Sequence, residues 1–280
     1  MKKALILLPL LFSVACSNIG PTTTSSEATE PVSEAAAEVT TTSPESENIV
    51  KILVPEPMGD AFEKIKENYA ILEPGVDIQV STAIDSEMGG KAVSGGYDIL
   101  ITDNSPAIEK AKSNGILDSS TEEILCADPL ALVKAKGSQS SVSGFELVEN
   151  CSQIAVAPSG TALGDATRQA FDYIGKWGYV NSVSMPSISD STAIVNTVSS
   201  TPGSVGILFG SSAKRNADKL DTIAIAGEYI FPEQVTLKII KANNSSSVTE
   251  PFMQYIQTKE CVKIYEQSGY AEYVTNDLVY

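Results

Sequence analysis

Residues 154–178 read IAVAPSGTALGDATRQAFDYIGKWG: a short apolar run, a Pro/Ser/Gly/Thr turn, and an amphipathic helix. Ile154 and Val156, with the alanines beside them, suit a buried strand, which Pro158 to Gly160 stop. Ala166, Ala170, Phe171, Ile174 and Trp177 recur at helical spacing, and Gly178 is expected to close the helix. A strand-loop-helix unit aims free backbone N–H groups and the positive end of a helix dipole at whatever sits in the loop, which favours an anion. An ordinary βα turn of an α/β domain has the same pattern, so the flanking chain decides.

Downstream, residues 179–183 read as a short strand, followed by a loop over 186–189 and a helix capped by Asp190 or Ser191, with Ile194, Val195 and Val198 facing inward. Residues 206–210, GILFG, form a short buried strand bounded by glycines, and a helical piece begins at Ser211. Strands follow at 222–226 and 235–240, then helices at 249–257 and 260–268, the second stopped by Gly269. Upstream, an apolar strand at 50–54 leads through the turn PEPMG into a helix from near Asp60, with Phe62, Ile65 and Tyr69 on its inner face. Further strands read at 76–80, 97–101 and 130–133. The Ser105-Pro106 pair and Gly115 bracket another helix. Residues 81–96 are polar and Gly-rich, the composition of a loop with a short helix that can present hydroxyls. Strands alternating with helices argue an α/β architecture with mixed sheets and ligands at the strand ends.

The chain of 280 residues carries 19 Lys+Arg against 35 Asp+Glu, a formal net charge of −16. An acidic surface repels nucleic acid and anionic membrane faces. With no histidine, His-dependent hydrolases and His-ligated metal sites are excluded. No phosphate loop and no clustered carboxylate–lysine pair suggests an enzyme or a bound cofactor. Residues 1–15, two lysines and an apolar run ending in small residues, have the layout of a secretory signal. SVAC at 13–16 resembles a bacterial lipoprotein cleavage box, with Cys16 the lipidated residue; Ser13 stands where Leu, Val or Ile is usual, and an ordinary cleaved signal is the alternative. Residues 16–48, with six glutamates and no Lys or Arg, read as a disordered, self-repelling tether. With its six negative and the signal's two positive charges set aside, −12 remains for residues 49–280. In an exported chain, Cys126, Cys151 and Cys261 allow at most one disulfide, or three free buried thiols.

From about residue 50 to 270 the order of motifs resembles the periplasmic molybdate-binding proteins, the solute receptors of molybdate and tungstate ABC importers. The residues that carry the resemblance are GYDILIT at 96–102, Ala162-Leu163-Gly164 opening a helix, GILFGS at 206–211, and the ending at 262–270. The resemblance implies two α/β lobes, the second spanning roughly 130–225, with a ligand cleft between them. It also implies an ABC permease as partner and a membrane-anchored, extracytoplasmic location. Members hold a tetrahedral dianion with neutral donors, because a buried oxyanion needs every oxygen hydrogen-bonded more than it needs a countercharge.

Carried over by position, the first serine falls at Pro57, which has neither hydroxyl nor N–H, so that contact is lost unless Gly59 or Asp60 supplies a backbone donor. The second serine falls at or beside Ser86, the backbone donors at Leu163 and Ser191, and the tyrosine at Phe209, which keeps the ring and loses the hydroxyl. Glu56, Asp60 and Asp85 oppose an anion if they face the cleft. The implied function is a lipid-anchored solute receptor with molybdate or tungstate as default ligand; the alternatives are a diverged receptor for another small solute and a surface protein with no transport role.

Overall fold

The computed structural model describes residues 48–103, 105–186, 188–227 and 235–273, without the side chains of Asp85, Ser86 and Ser105. The signal-like segment, Cys16 and the tether up to residue 47 lie outside the described residues. The apolar run at 50–54 forms β1 (Ile49–Pro55). A 3-10 turn, Glu56–Met58, leads into α1 (Gly59–Leu72), which buries Phe62, Ile65 and Tyr69. There follow β2 (Asp77–Ala83), α2 (Asp85–Ser94), β3 (Ile99–Thr102), α3 (Ser105–Ser113) and β4 (Glu123–Ala127).

The second half of the description runs β5 (Leu130–Ala135), β6 (Ile154–Ala155), α4 (Ala162–Tyr173), α5 (Trp177–Ser182), α6 (Ser191–Ser200), β7 (Val205–Phe209), α7 (Gly210–Arg215) and β8 (Leu220–Ile225). The chain then returns through β9 (Thr236–Lys241), α8 (Thr249–Tyr255) and α9 (Lys259–Gln267).

Two sheets result. The first has the order β2-β1-β3-β9-β4, and the second β6-β7-β5-β8. Both are mixed: β1 runs parallel to β2 and β3, whereas β9 is antiparallel to β3 and β4. In the second sheet β6 and β7 are parallel, and β5 is antiparallel to β7 and β8. Each sheet has its own apolar core. Phe145, Phe171, Val198 and Ile207 belong to the second, and Phe62, Ile99, Phe252 and Tyr265 to the first. A further cluster around Leu53, Met88, Leu100 and Ile108 packs α2 and α3 on the other face of the first sheet. This is a two-lobed periplasmic-binding fold. The chain leaves the first lobe through Asp128 and Pro129, and re-enters it after Ala226.

Three readings of the sequence are corrected. The central helix ends at Tyr173, short of Gly178. Gly175 takes a left-handed φ of +70°, and the Lys176 N–H turns back to the Phe171 carbonyl at 2.7 Å, which closes the helix earlier. Residues 179–182 belong to helix α5 and Val183 caps it, so the expected strand is absent there: Val180 of α5 is buried, Trp177 packs on the same core three positions earlier, and the Tyr179 hydroxyl donates to the Cys151 carbonyl at 2.6 Å. β4, in contrast, is a strand that its charged start at Glu122 and Glu123 concealed. Cys126, Cys151 and Cys261 are all free and buried. No helix among the described residues is long and apolar enough to cross a membrane.

The lobes meet under the cleft at two glycines. Gly269 follows α9 with φ +94°, and a Cβ there would stand 2.3 Å from the Gly210 carbonyl oxygen at the start of α7. Gly269→Ala therefore combines left-handed strain with overpacking against backbone, and costs about 2–4 kcal/mol. Urea unfolding checks this: the midpoint falls while the slope stays at the wild-type value.

Candidate functional site

The ends of both sheets open on one cleft of about 230 Å3 between the lobes. The first lobe contributes Pro55, Glu56, Pro57, Ala83, Ile84, Asp103, Leu237 and Tyr270, and the crossing contributes Asp128. The second contributes the loop before α4, the start of α6, Phe209, Ser211 and Ser212. Pro57, Leu163, Ser191 and Phe209 thus line one cavity. Ser86 falls in the first turn of α2, and its side chain lies outside the described residues.

Helix capping leaves specific donors over. At α4 the Thr161 hydroxyl accepts the Gly164 N–H at 3.0 Å, and the Thr161 carbonyl accepts the Asp165 N–H at 2.9 Å. The N–H groups of Ala162 and Leu163, in the first turn, have no intrahelical acceptor and stand at the cleft wall. At α6 the Asp190 carboxylate accepts the Ala193 N–H at 2.8 Å, and the Asp190 carbonyl accepts that of Ile194 at 3.1 Å. The Ser191 N–H remains. The hydroxyls of Ser191 and Ser212 have no hydrogen-bond partner among the described residues, and both line the cleft. Ser212 went unread in the sequence. Its signal was its place two residues after the glycine that ends GILFG, three residues from Phe209.

Neither Gly59 nor Asp60 replaces the donor missing at Pro57. The Gly59 N–H is taken by the Glu56 carbonyl, and neither residue lines the cleft. Glu56 does line it, and its carboxylate is paired with the Arg215 guanidinium at 2.9 Å, a bridge from one lobe to the other. Each partner is 45% exposed, so the pair contributes at most about 1 kcal/mol.

Among the described residues no lysine or arginine lines the cleft, whereas Glu56, Asp103, Asp128 and Asp190 all do. Asp190 is held below the usual carboxylate range by the Ala193 N–H and by the Ser189 hydroxyl, so it stays ionised as a helix cap. Asp128 is different. It is 8% exposed, and burial pushes its carboxyl up to about 7 despite hydrogen bonds from the Ser211 N–H and hydroxyl; Asp103 adds to the rise. Burial also raises the Tyr270 hydroxyl, with the Asp128 charge adding to it. Among the described residues no group of three or more Cys, Asp or Glu side chains is placed to hold a metal ion.

The family model for the bacterial extracellular solute-binding proteins matches residues 50–271. No curated protein matches the chain. Among solved structures, the substrate-binding domain assigned to a molybdenum ABC transporter from Clostridium difficile is similar with a TM-score of 0.71 at 19% identity, covering 81% of this chain and 99% of that one. The periplasmic molybdate-binding protein of Azotobacter vinelandii is similar with a TM-score of 0.59 at 14% identity, over 80% and 100%. Peb3 from Campylobacter jejuni, in a structure with L-phospholactate bound, gives 0.63 at 20% identity, over 80% and 100%. At these identities the likeness is one of fold.

The Asp128 carboxyl has a definite signature in stability. Its pKa rises on folding from 3.8 to about 7, so between those values the native state holds a proton that the unfolded chain releases. Stability from this group is full below about pH 4, falls as pH rises to about 7, and is flat beyond. Asp128→Asn removes that loss. Its stability relative to wild type therefore climbs by roughly 3–4 kcal/mol across the window, read from paired urea titrations at successive pH values.

Proposed function

Because the chain belongs to the bacterial extracellular solute-binding proteins, we propose that it is the lipid-anchored receptor of an ABC importer and captures a small tetrahedral oxyanion, molybdate or tungstate by default. The observation that carries this reading is the convergence of two helix starts on one cleft, whose lining includes Leu163 and Ser191 at those starts and Ser212 beside them. Helix starts are anion sites by virtue of unpaired N–H groups and dipole. The cavity, at about 230 Å3, is smaller than the about 300–1,000 Å3 of pockets that take drug-sized ligands, which fits a small solute. The role is binding, with the permease as partner. Residues 1–15 act as the signal, Cys16 as the lipidated residue, and residues 17–48 as a tether that lets the lobes stand off the membrane.

A second reading is a receptor of the same fold for another small anion, such as a phosphorylated hydroxy acid. Pro57 and Phe209, where the resemblance implies hydroxyl donors, favour it, as does the phospholactate held by a neighbour of this fold. The two readings separate by titration calorimetry and melting temperature with molybdate, tungstate, sulfate and phospholactate, since a ligand that binds only the native state raises its melting temperature. Submicromolar tungstate or molybdate affinity supports the first reading. Binding of phospholactate alone moves the function to the second, and no shift with any of the four removes the oxyanion reading. If the first holds, Phe209→Tyr returns a hydroxyl to the wall and tightens tungstate binding by about tenfold, the worth of one hydrogen bond.

A further inference from the structure

The floor of the cleft places a carboxyl where an anion receptor has least use for a charge. Asp128 lies in the crossing between lobes, 8% exposed, and its N–H donates to the Val235 carbonyl of the returning crossing at 2.8 Å. Its oxygens accept from the Ser211 N–H at 3.1 Å and from the Ser211 hydroxyl, both in α7. The titratable groups whose charges bear on it are Asp103 after β3, Cys126 in β4 and Tyr270 after α9, of which Asp103 and Tyr270 line the same cleft. Across the cleft stand Glu56, already paired with Arg215, and Asp190, engaged in capping α6. Among the described residues no cationic side chain lines the cavity. A carboxylate buried in the wall of a cleft is costly to ionise, and an arriving dianion makes its charge costlier still.

Resting on the reading of this cleft as an anion site, we propose that capture of the anion takes up one proton from solvent, held by the buried Asp128 carboxyl beneath it. The step balances simply: the Asp128 carboxylate and one solvent proton become a carboxylic acid as the anion enters. The charge in the cleft then rises by less than the charge of the ligand. The acid form also gives the floor an O–H donor in a wall that Pro57 and Phe209 leave poor in donors. The thiol of Cys126 and the hydroxyl of Tyr270 are both shifted upward by burial, so neither releases a proton in the neutral range. Asp128, brought up to about 7, is the group of the cluster that titrates there.

The test is calorimetric titration of the purified protein with tungstate and molybdate in two buffers of different ionisation enthalpy, at several pH values from about 6 to 8.5. The expected result is uptake approaching one proton per anion above about pH 7, with Kd rising up to about tenfold per pH unit there and level below. Asp128→Asn should bind with an affinity independent of pH and with no proton uptake. Asp103→Asn should move the midpoint of the pH dependence downward. Binding by wild type with no proton uptake and a flat Kd overturns the proposal, as does uptake that persists in full in Asp128→Asn. If Asp128→Asn fails to fold, the proton count on wild type and the Asp103→Asn midpoint decide. Absence of binding by any oxyanion at any pH removes the anion reading itself, and is distinct from binding without a proton.

Discussion

Everything in the cleft hangs on how the two lobes are tied beneath it. Asp128 accepts the N–H and hydroxyl of Ser211 at the start of α7, and its own N–H bonds to Val235. Gly210 and Gly269 bring α7 of one lobe and the chain after α9 of the other into backbone contact, at a distance that admits no Cβ. The Gly210 N–H donates to Pro129 at 2.7 Å, so the same crossing residues hold α7 from two sides. The floor is held by these contacts, while the exposed Glu56–Arg215 pair bridges the lobes at the mouth. A weak bridge at the mouth and a dense contact at the floor is the distribution expected of lobes that hinge.

That arrangement sets the electrostatics. Each helix start favours an anion by about 0.3–1 kcal/mol when exposed, and by more where water is excluded. The carboxylates of Asp190 and Asp128 act in the other direction, but unequally. Asp190 spends its charge on the N–H groups of α6 and remains near solvent. Asp128 has the same kind of partners and is still raised, because burial outweighs two hydrogen bonds when no cation is at hand. The cleft thus presents helix starts in its backbone and carboxyls in its side chains, two features that act on an anion in opposite directions.

Much of this was legible in the chain. Asp190 reads as a cap because a short acidic side chain precedes an apolar stripe at helical spacing, and the structure places it there. The alternation of strands and helices gave the mixed sheets. Where the reading failed, local pattern had two physical solutions. Residues 179–183 alternate like a strand, yet Trp177 and Val180 lie three apart on one helical face, and burial of that face won. Gly175 rather than Gly178 stops α4, since either glycine can adopt a positive φ and only the packing of Trp177 chooses between them. Asp128, Asp103 and Ser212 carried no sequence signal as a group. They are brought together by the crossing of the lobes, from positions separated by a strand, a helix or a whole lobe, and no local spacing encodes that.

The lost donors acquire a different meaning in this setting. Pro57 and Phe209 remove two hydroxyl-type contacts, which for a buried dianion leaves acceptors unpaired at roughly 1–3 kcal/mol each. Ser212, three residues beyond Phe209 in α7, lines the same cleft with a free hydroxyl, so part of that loss is offset within the same turn of chain. What it cannot offset is charge: on the oxyanion reading, a fully ionised ligand still meets Asp103 and Asp128, with no Lys or Arg in the cleft among the described residues. A cleft with these residues discriminates by proton as well as by shape. Ligands that bring their own proton, or conditions that place one on Asp128, relieve the same repulsion, and the two routes are thermodynamically equivalent.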